Sequence, residues 1–204
     1  MAEAYPFIYA TVGVHPHDAK TLSDDMLYTL EKLSGHEKVV AYGEIGLDFF
    51  HNFSPQDTQR YWFERQLQLT EALGLPVIIH SRDAAEETFE MVKKSAVRRG
   101  VIHSFSGDAA LALAYVKLGF YIGIGGVVTF DKTMRLPEVV DAIPLDKLLL
   151  ETDAPYLTPA PYRGKRNNSL YLTYVAAAIA EIKGVAYEEV CRQTTENAKA
   201  LFGI

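Results

Sequence analysis

Cysteine is nearly absent: Cys191 stands alone in 204 residues. It can close no intrachain bridge and belongs to no Cys-x-x-Cys pair, so nothing here calls for an oxidising compartment, and a cytoplasmic home is the expectation. Long apolar runs are lacking as well. None approaches the roughly 18 residues of a spanning helix, and the opening Met1-Ala2-Glu3-Ala4-Tyr5-Pro6 has neither a basic nor an apolar leader region, so neither membrane insertion nor export by a signal peptide is expected. An excess of positive charge is missing too: 20 Lys and Arg against 26 Asp and Glu give −6. That argues against a broad nucleic-acid-coating surface and leaves room for one local basic patch. What the chain does have is 49% hydrophobic and 11% aromatic residues with 23% charged, ample to bury a core and incompatible with intrinsic disorder. No internal linker divides it, so a single domain over 1–204 is expected.

Short apolar runs alternate with longer amphipathic stretches along the whole chain. The strand-like runs are 7–14, 39–43, 76–79, 101–102, 121–124 and 148–150, and their near-continuous apolarity suggests burial on both faces, as in a parallel sheet. The intervening helices have readable ends. One starts at Ser54 as N-cap with Pro55 at its first position and stops at Gly74, with Trp62, Gln66, Leu69 and Leu73 on one stripe; others run from about Asp108 to Leu118 and from about Leu170 to Lys183. Strict β-then-α repetition means an α/β fold, either an open doubly wound sheet or a closed barrel of the (β/α)₈ type.

Polar residues discriminate between the two. His15, Glu44, His80, His103 and Asp153 each follow directly on an apolar run. In a parallel sheet such positions gather on one face, and only a closed barrel converges five strand ends on one centre. Each residue alone has a plain explanation: a hydrogen-bonded histidine, or a carboxylate capping the next helix. Together, imidazoles and carboxylates on one face without a cation would be costly polar burial, so a metal site over Glu44, His80, His103 and Asp153 is the expectation. Imidazole and carboxylate without thiolate suit Zn, Mn, Ni or Mg, and such an ion acidifies bound water and polarises a phosphoryl or carbonyl oxygen. Metal-assisted hydrolysis follows as the reaction class.

After Asp153 comes Tyr156-Leu157-Thr158-Pro159-Ala160-Pro161-Tyr162-Arg163-Gly164-Lys165-Arg166, with three cations in four residues. On a barrel this loop overhangs the metal face, where phosphate is commonly held. Tyr156 and Tyr162 could stack on a base or simply pack at the loop. Arg82, two residues past His80, either neutralises a phosphate or pairs with Asp83 or Asp48. Glu151 points to the same side of its strand as Asp153 and is a supporting or buried-pair carboxylate. His17, His36 and His51 read as surface residues.

Five segments resemble the TatD family of metal-dependent deoxyribonucleases: Gly13-Val14-His15-Pro16-His17, Gly43-Glu44-Ile45-Gly46-Leu47-Asp48, Pro76-Val77-Ile78-Ile79-His80-Ser81-Arg82-Asp83, His103-Ser104-Phe105-Ser106-Gly107 and Glu151-Thr152-Asp153-Ala154-Pro155. Arg163-Gly164-Lys165-Arg166-Asn167 and the closing Thr195–Gly203 segment are similar to it as well, so the likeness spans essentially the whole chain. The resemblance implies a TIM-type barrel and a one- or two-cation site cleaving DNA phosphodiesters, as an exonuclease working on single-stranded ends from the 3′ side. It implies Glu44 as the carboxylate shared between cations, His80 and His103 as ligands, and Asp153 as ligand and water-orienting base. His15, Arg82, Arg163 and Arg166 are then substrate-binding, the two loop arginines facing phosphates.

The family's first-strand Asp-x-His-x-His is missing, and Asn168-Ser169 stands where the family often has Glu-Pro. By this count about six of eight βα units are present, as in an N-terminally truncated barrel, against the roughly 250 residues typical of a closed one. One weakened metal site and reduced nuclease activity are the corresponding expectation. Two rival readings stand beside it. A deacylase acting on aminoacyl-tRNA would use the same metal and basic loop, and a catalytically dead barrel fragment with a binding role would use neither for turnover.

Overall fold

β-Branched and aromatic runs bounded by turn residues form the strands of a computed structural model that describes residues 1–204 throughout. The strands are β1 (Ala10–Val12), β2 (Val39–Asp48), β3 (Val77–Arg82), β4 (Gly100–Ile102), β5 (Tyr121–Ile124) and β6 (Leu148–Leu150). The helices are α1 (Asp24–Ser34), α2 (Gln56–Leu73), α3 (Ala85–Lys94), α4 (Ala109–Lys117), α5 (Arg135–Ala142), α6 (Leu172–Lys183) and α7 (Tyr187–Phe202). The sheet follows chain order from β1 to β6, and the pairs β1·β2, β2·β3 and β5·β6 are parallel. This is the α/β fold expected from the alternation, with a strand in each of the six apolar runs. No single helix is long and apolar enough to cross a membrane.

By its contacts the chain forms two compact units, Met1–Val101 with Leu201–Ile204, and Ile102–Ala200. In the first, β2 supplies Ala41, Tyr42, Ile45 and Leu47 to a core that β3 extends with Val77 and Ile79 and α2 with Phe63 and Leu67, all nearly inaccessible. The strand at 7–14 is shorter than expected. Phe7 and Tyr9 stay exposed, and the carbonyls of Tyr5, Pro6 and Ile8 accept from the Lys38 ammonium rather than from a neighbouring strand.

Helix α2 ends as predicted, with Gly74 in the left-handed conformation at φ 66°, but two details differ. Pro55 is the N-cap and Ser54 does not cap the helix. The Ser54 hydroxyl is engaged elsewhere, accepting from the Lys20 N–H and donating to the His17 carbonyl. The buried stripe is Gln59, Phe63, Gln66, Leu67 and Thr70, one position round from the expected Trp62–Leu73 stripe. Two glutamines on the buried face bond backbone groups of neighbouring segments. Gln59 accepts from the Asp48 N–H and donates to the Asp48 carbonyl, and Gln66 does the same for Val14.

In the second unit, β5 and β6 pair from Ile122↔Leu148 to Ile124↔Leu150 over a core of Tyr115, Phe120, Val139, Ile143 and Ile179. Asp108, where the sequence starts this helix, caps α4 by accepting from the Leu111 N–H. Asn197 on α7 is 3% exposed. It donates to the carbonyls of Leu145 and Leu148 and so ties that helix to the start of β6.

Candidate metal site

Glu44 and His80 owe their meeting to an irregularity in the β2·β3 ladder. The register runs Tyr42↔Val77 and then Ile45↔Ile79, so three residues on β2 span two on β3, a bulge that re-aims the side chain between them. His80 lies opposite Gly46. A side chain at Gly46 would run into the His80 carbonyl, so glycine lets the strands close while the His80 ring reaches carboxylates on either side. His80 Nδ1 is 2.9 Å from Glu44 Oε1, and Nε2 is 3.3 Å from Asp48 Oδ2. A neutral imidazole has one N–H and one lone pair. Both nitrogens face a carboxylate oxygen and either can donate. With a cation between Glu44 and His80, the Nε2 proton would go to the buried Asp48 and the Nδ1 lone pair to the ion, with Asp48 as the carboxylate that fixes the histidine tautomer.

His15 completes this group. Its Nε2 is 3.9 Å from Glu44 Oε1, and the ring lies 4.4 Å from that of His80, centre to centre. Burial, followed by the neighbouring His80, lowers the His15 pKa to about 4, so the ring is neutral near pH 7. The His17 backbone N–H donates to His15 Nδ1 at 3.2 Å, which leaves the His15 proton on Nε2. With Glu44 and His80, His15 makes a group whose ligand atoms all lie within 4.8 Å of one another, close enough to hold a cation.

His17 and His51 are not the plain surface residues expected from the sequence. Both are about 30% exposed, and both turn onto Asp48 Oδ2, at 2.7 and 3.0 Å. His36 is exposed, beside Glu3. Asp48 itself is 1% exposed. Burial opposes its charge, but the His51 N–H, the His51 ring and the His17 ring outweigh that and hold its carboxyl well below the usual range. The sequence carried one signal for this group, the Asp48-x-x-His51 spacing, which puts both residues in one turn.

In the second unit, His103 follows β4 directly and Asp153 follows β6. Gly123 clears space for the Glu151 side chain, since a Cβ there would meet its carboxylate. Glu151 Oε2 holds His103 Nδ1 at 2.8 Å, and Oε1 accepts from the Ser104 N–H at 2.6 Å. A carboxylate only accepts, so Nδ1 carries the proton and the Nε2 lone pair faces Asp153 Oδ1 at 3.7 Å. Two ligands about 2.0–2.1 Å from a tetrahedral zinc lie about 3.3 Å apart, close to this separation. Glu151 is therefore the supporting partner of His103. Asp153 sits in the left-handed region at φ 53° and is 39% exposed on its side chain.

The cations divide by occupation. The Arg163 guanidinium lies 3.8 Å over the Phe130 ring and donates to the Thr158 carbonyl, and that of Arg82 lies 4.2 Å over Phe50. Arg82 pairs with neither Asp83 nor Asp48 and is exposed, as is Arg166. Tyr162 stacks on Tyr171 at 4.8 Å and 14°, packing within the loop, whereas Tyr156 is 70% exposed.

Comparison with known proteins identifies the family. The family model described as TatD related DNase matches residues 1–203. The metal-dependent hydrolase YabD of Bacillus subtilis is 47% identical over all of this chain and 81% of its own length. A protein of Erwinia amylovora named 3'-5' ssDNA/RNA exonuclease TatD is 38% identical over 97% of this chain and 79% of its own. The crystal structure of YJJV, a TatD homologue from Escherichia coli K12, superposes with a TM-score of 0.93 at 34% identity, covering 100% of this chain and 80% of that one. Similarity of this extent, joined to imidazole and carboxylate donors that fit a divalent cation, means that the chain belongs to the TatD family of metal-dependent hydrolases.

Proposed function

We propose that this hydrolase cleaves DNA phosphodiester bonds, removing nucleotides from the 3′ ends of single strands, in the cytoplasm. The observation that carries the reading is the pairing of each candidate ligand histidine with a supporting carboxylate, His80 with Asp48 and His103 with Glu151. This is how metal-bound imidazoles are oriented. Glu44 and His80 would hold a divalent ion in the first unit, and His103 and Asp153 would do so in the second, with Mg, Mn, Zn or Ni as the ion. When bound, the ion supplies an acidified water and a polarised phosphoryl oxygen.

The chain's own residues do the rest. Asp153, partly exposed, orients the attacking water and accepts its proton. Glu44 positions the ion by its re-aimed carboxylate. His15 donates its Nε2 proton in a hydrogen bond to a phosphate oxygen. Arg82 and Arg166 present exposed guanidinium forks to the backbone, and Arg163 adds its remaining N–H groups from a position fixed by Phe130 and Thr158. The name of the Erwinia relative supports the substrate class.

The test is release of mononucleotides from 3′-ended single-stranded DNA with added Mg²⁺ or Mn²⁺, with aminoacyl-tRNA deacylation assayed in parallel. The expected result is nucleotide release that His103→Ala abolishes. Deacylation without nucleotide release would replace this reading with the deacylase one, and absence of both would leave a binding protein.

A further inference from the structure

We propose that His17, Asp48 and His51 form a cation site of their own, adjacent to the Glu44–His80 pair, for a borderline divalent ion such as zinc. One carboxylate oxygen is crowded by donors. Asp48 Oδ2 has the ring nitrogens of His17, His51 and His80 at 2.7, 3.0 and 3.3 Å. A carboxylate oxygen offers about two lone-pair directions, so three N–H donors oversubscribe it. An ion held by the lone pairs of His17 Nε2 and His51 Nδ1 and by one lone pair of Oδ2 removes the excess. It leaves the other Oδ2 lone pair for His80.

Asp48 is prepared for single-oxygen ligation. Its Oδ1 is taken by the backbone N–H groups of Phe50 and His51, at 3.1 and 2.9 Å, and its own backbone is clamped by Gln59. Only Oδ2 remains for an ion. The two histidine rings are held as well: His17 packs edge-on to Phe53 at 4.8 Å and His51 stacks on it at 5.1 Å. The three ligand atoms all lie within 4.8 Å of one another. Opening the imidazole-to-carboxylate distances from 2.7 and 3.0 Å toward about 3.3 Å, the spacing in a tetrahedral zinc site, needs about 0.3 to 0.6 Å from rings that are about 30% exposed. Two imidazoles and one carboxylate favour Zn²⁺, Ni²⁺ or Co²⁺ over Mg²⁺ or Ca²⁺, with water in the remaining position.

The full chain, stripped by chelation and dialysed, is titrated with Zn²⁺ alone and bound zinc is counted by elemental analysis. His51→Gln, which keeps a side-chain N–H for Asp48 but no imidazole, should bind one zinc fewer per chain than wild type, whereas Glu44→Gln should keep that ion. A second measurement needs no substitution at the proposed ligands. Zinc should protect His17 and His51 from diethylpyrocarbonate, mapped by mass spectrometry, in wild type and in Glu44→Gln alike. Equal zinc counts in wild type and His51→Gln, or modification of both histidines unchanged by zinc, would overturn the site. Neither readout depends on nuclease activity, so the proposed substrate can fail while this site stands.

Discussion

Asp48 gathers a cluster of polar contacts in the first unit. It accepts from two backbone N–H groups and faces three imidazoles while nearly inaccessible to water. Asp48→Ala would orphan those donors and should lower unfolding stability by about 3 kcal/mol, read by urea denaturation of the metal-free protein. His15 gives a pH prediction. Its folded pKa of about 4 lies below the ordinary 6.5, so as pH falls the unfolded chain takes up the proton first. The stability contributed by His15 is full above pH 6.5 and is lost as pH falls toward 4. The wild type should therefore weaken across that window, and His15→Gln should show a shallower slope in the same urea titrations. None of these environments follows from residue type. His17, His36 and His51 look alike in the sequence, yet two of them turn onto a buried carboxylate and one faces solvent.

At the scale of elements, the places of the six strands and the glycine ends of two helices were legible because local chemistry sets them: glycine at φ > 0 closes α2 and α6. The bulge opposite Ile78 was not legible, because it arises from how two strands register rather than from either strand alone. Nor was the buried face of α2, where Gln59 and Phe63 replace Trp62, Leu69 and Leu73 of the expected stripe. Gly123 is the element-level feature most open to test. A Cβ there would come within 2.9 Å of the Glu151 carboxylate carbon and 3.1 Å of the Ile102 carbonyl. Gly123→Ala should push Glu151 off His103 and weaken Mn²⁺ or Zn²⁺ affinity at the His103–Asp153 pair by about 10- to 100-fold. Isothermal titration checks this, with circular dichroism showing that the variant remains folded.

For the whole molecule, metal dependence links function to stability. An ion that binds only the folded chain adds about 2.7 kcal/mol at a hundredfold excess over its dissociation constant. Chelation should lower the melting temperature, and added Mn²⁺ or Zn²⁺ should restore it. His80→Ala should lose the part of that recovery that belongs to the Glu44–His80 pair, measured by differential scanning fluorimetry. The sequence by itself determined the α/β class, the reading frame of strands and helices, and the set of imidazoles and carboxylates available to a cation. These depend on apolar periodicity, caps and residue chemistry, all of which act over a few neighbouring positions. Only the tertiary structure decided which carboxylate serves which histidine, that Asp48 supports rather than stands apart, and that His17 and His51 share an oxygen with His80. Apart from Asp48 with His51, those pairings join residues 31 to 48 positions apart, and no local rule reaches across a strand register to set them.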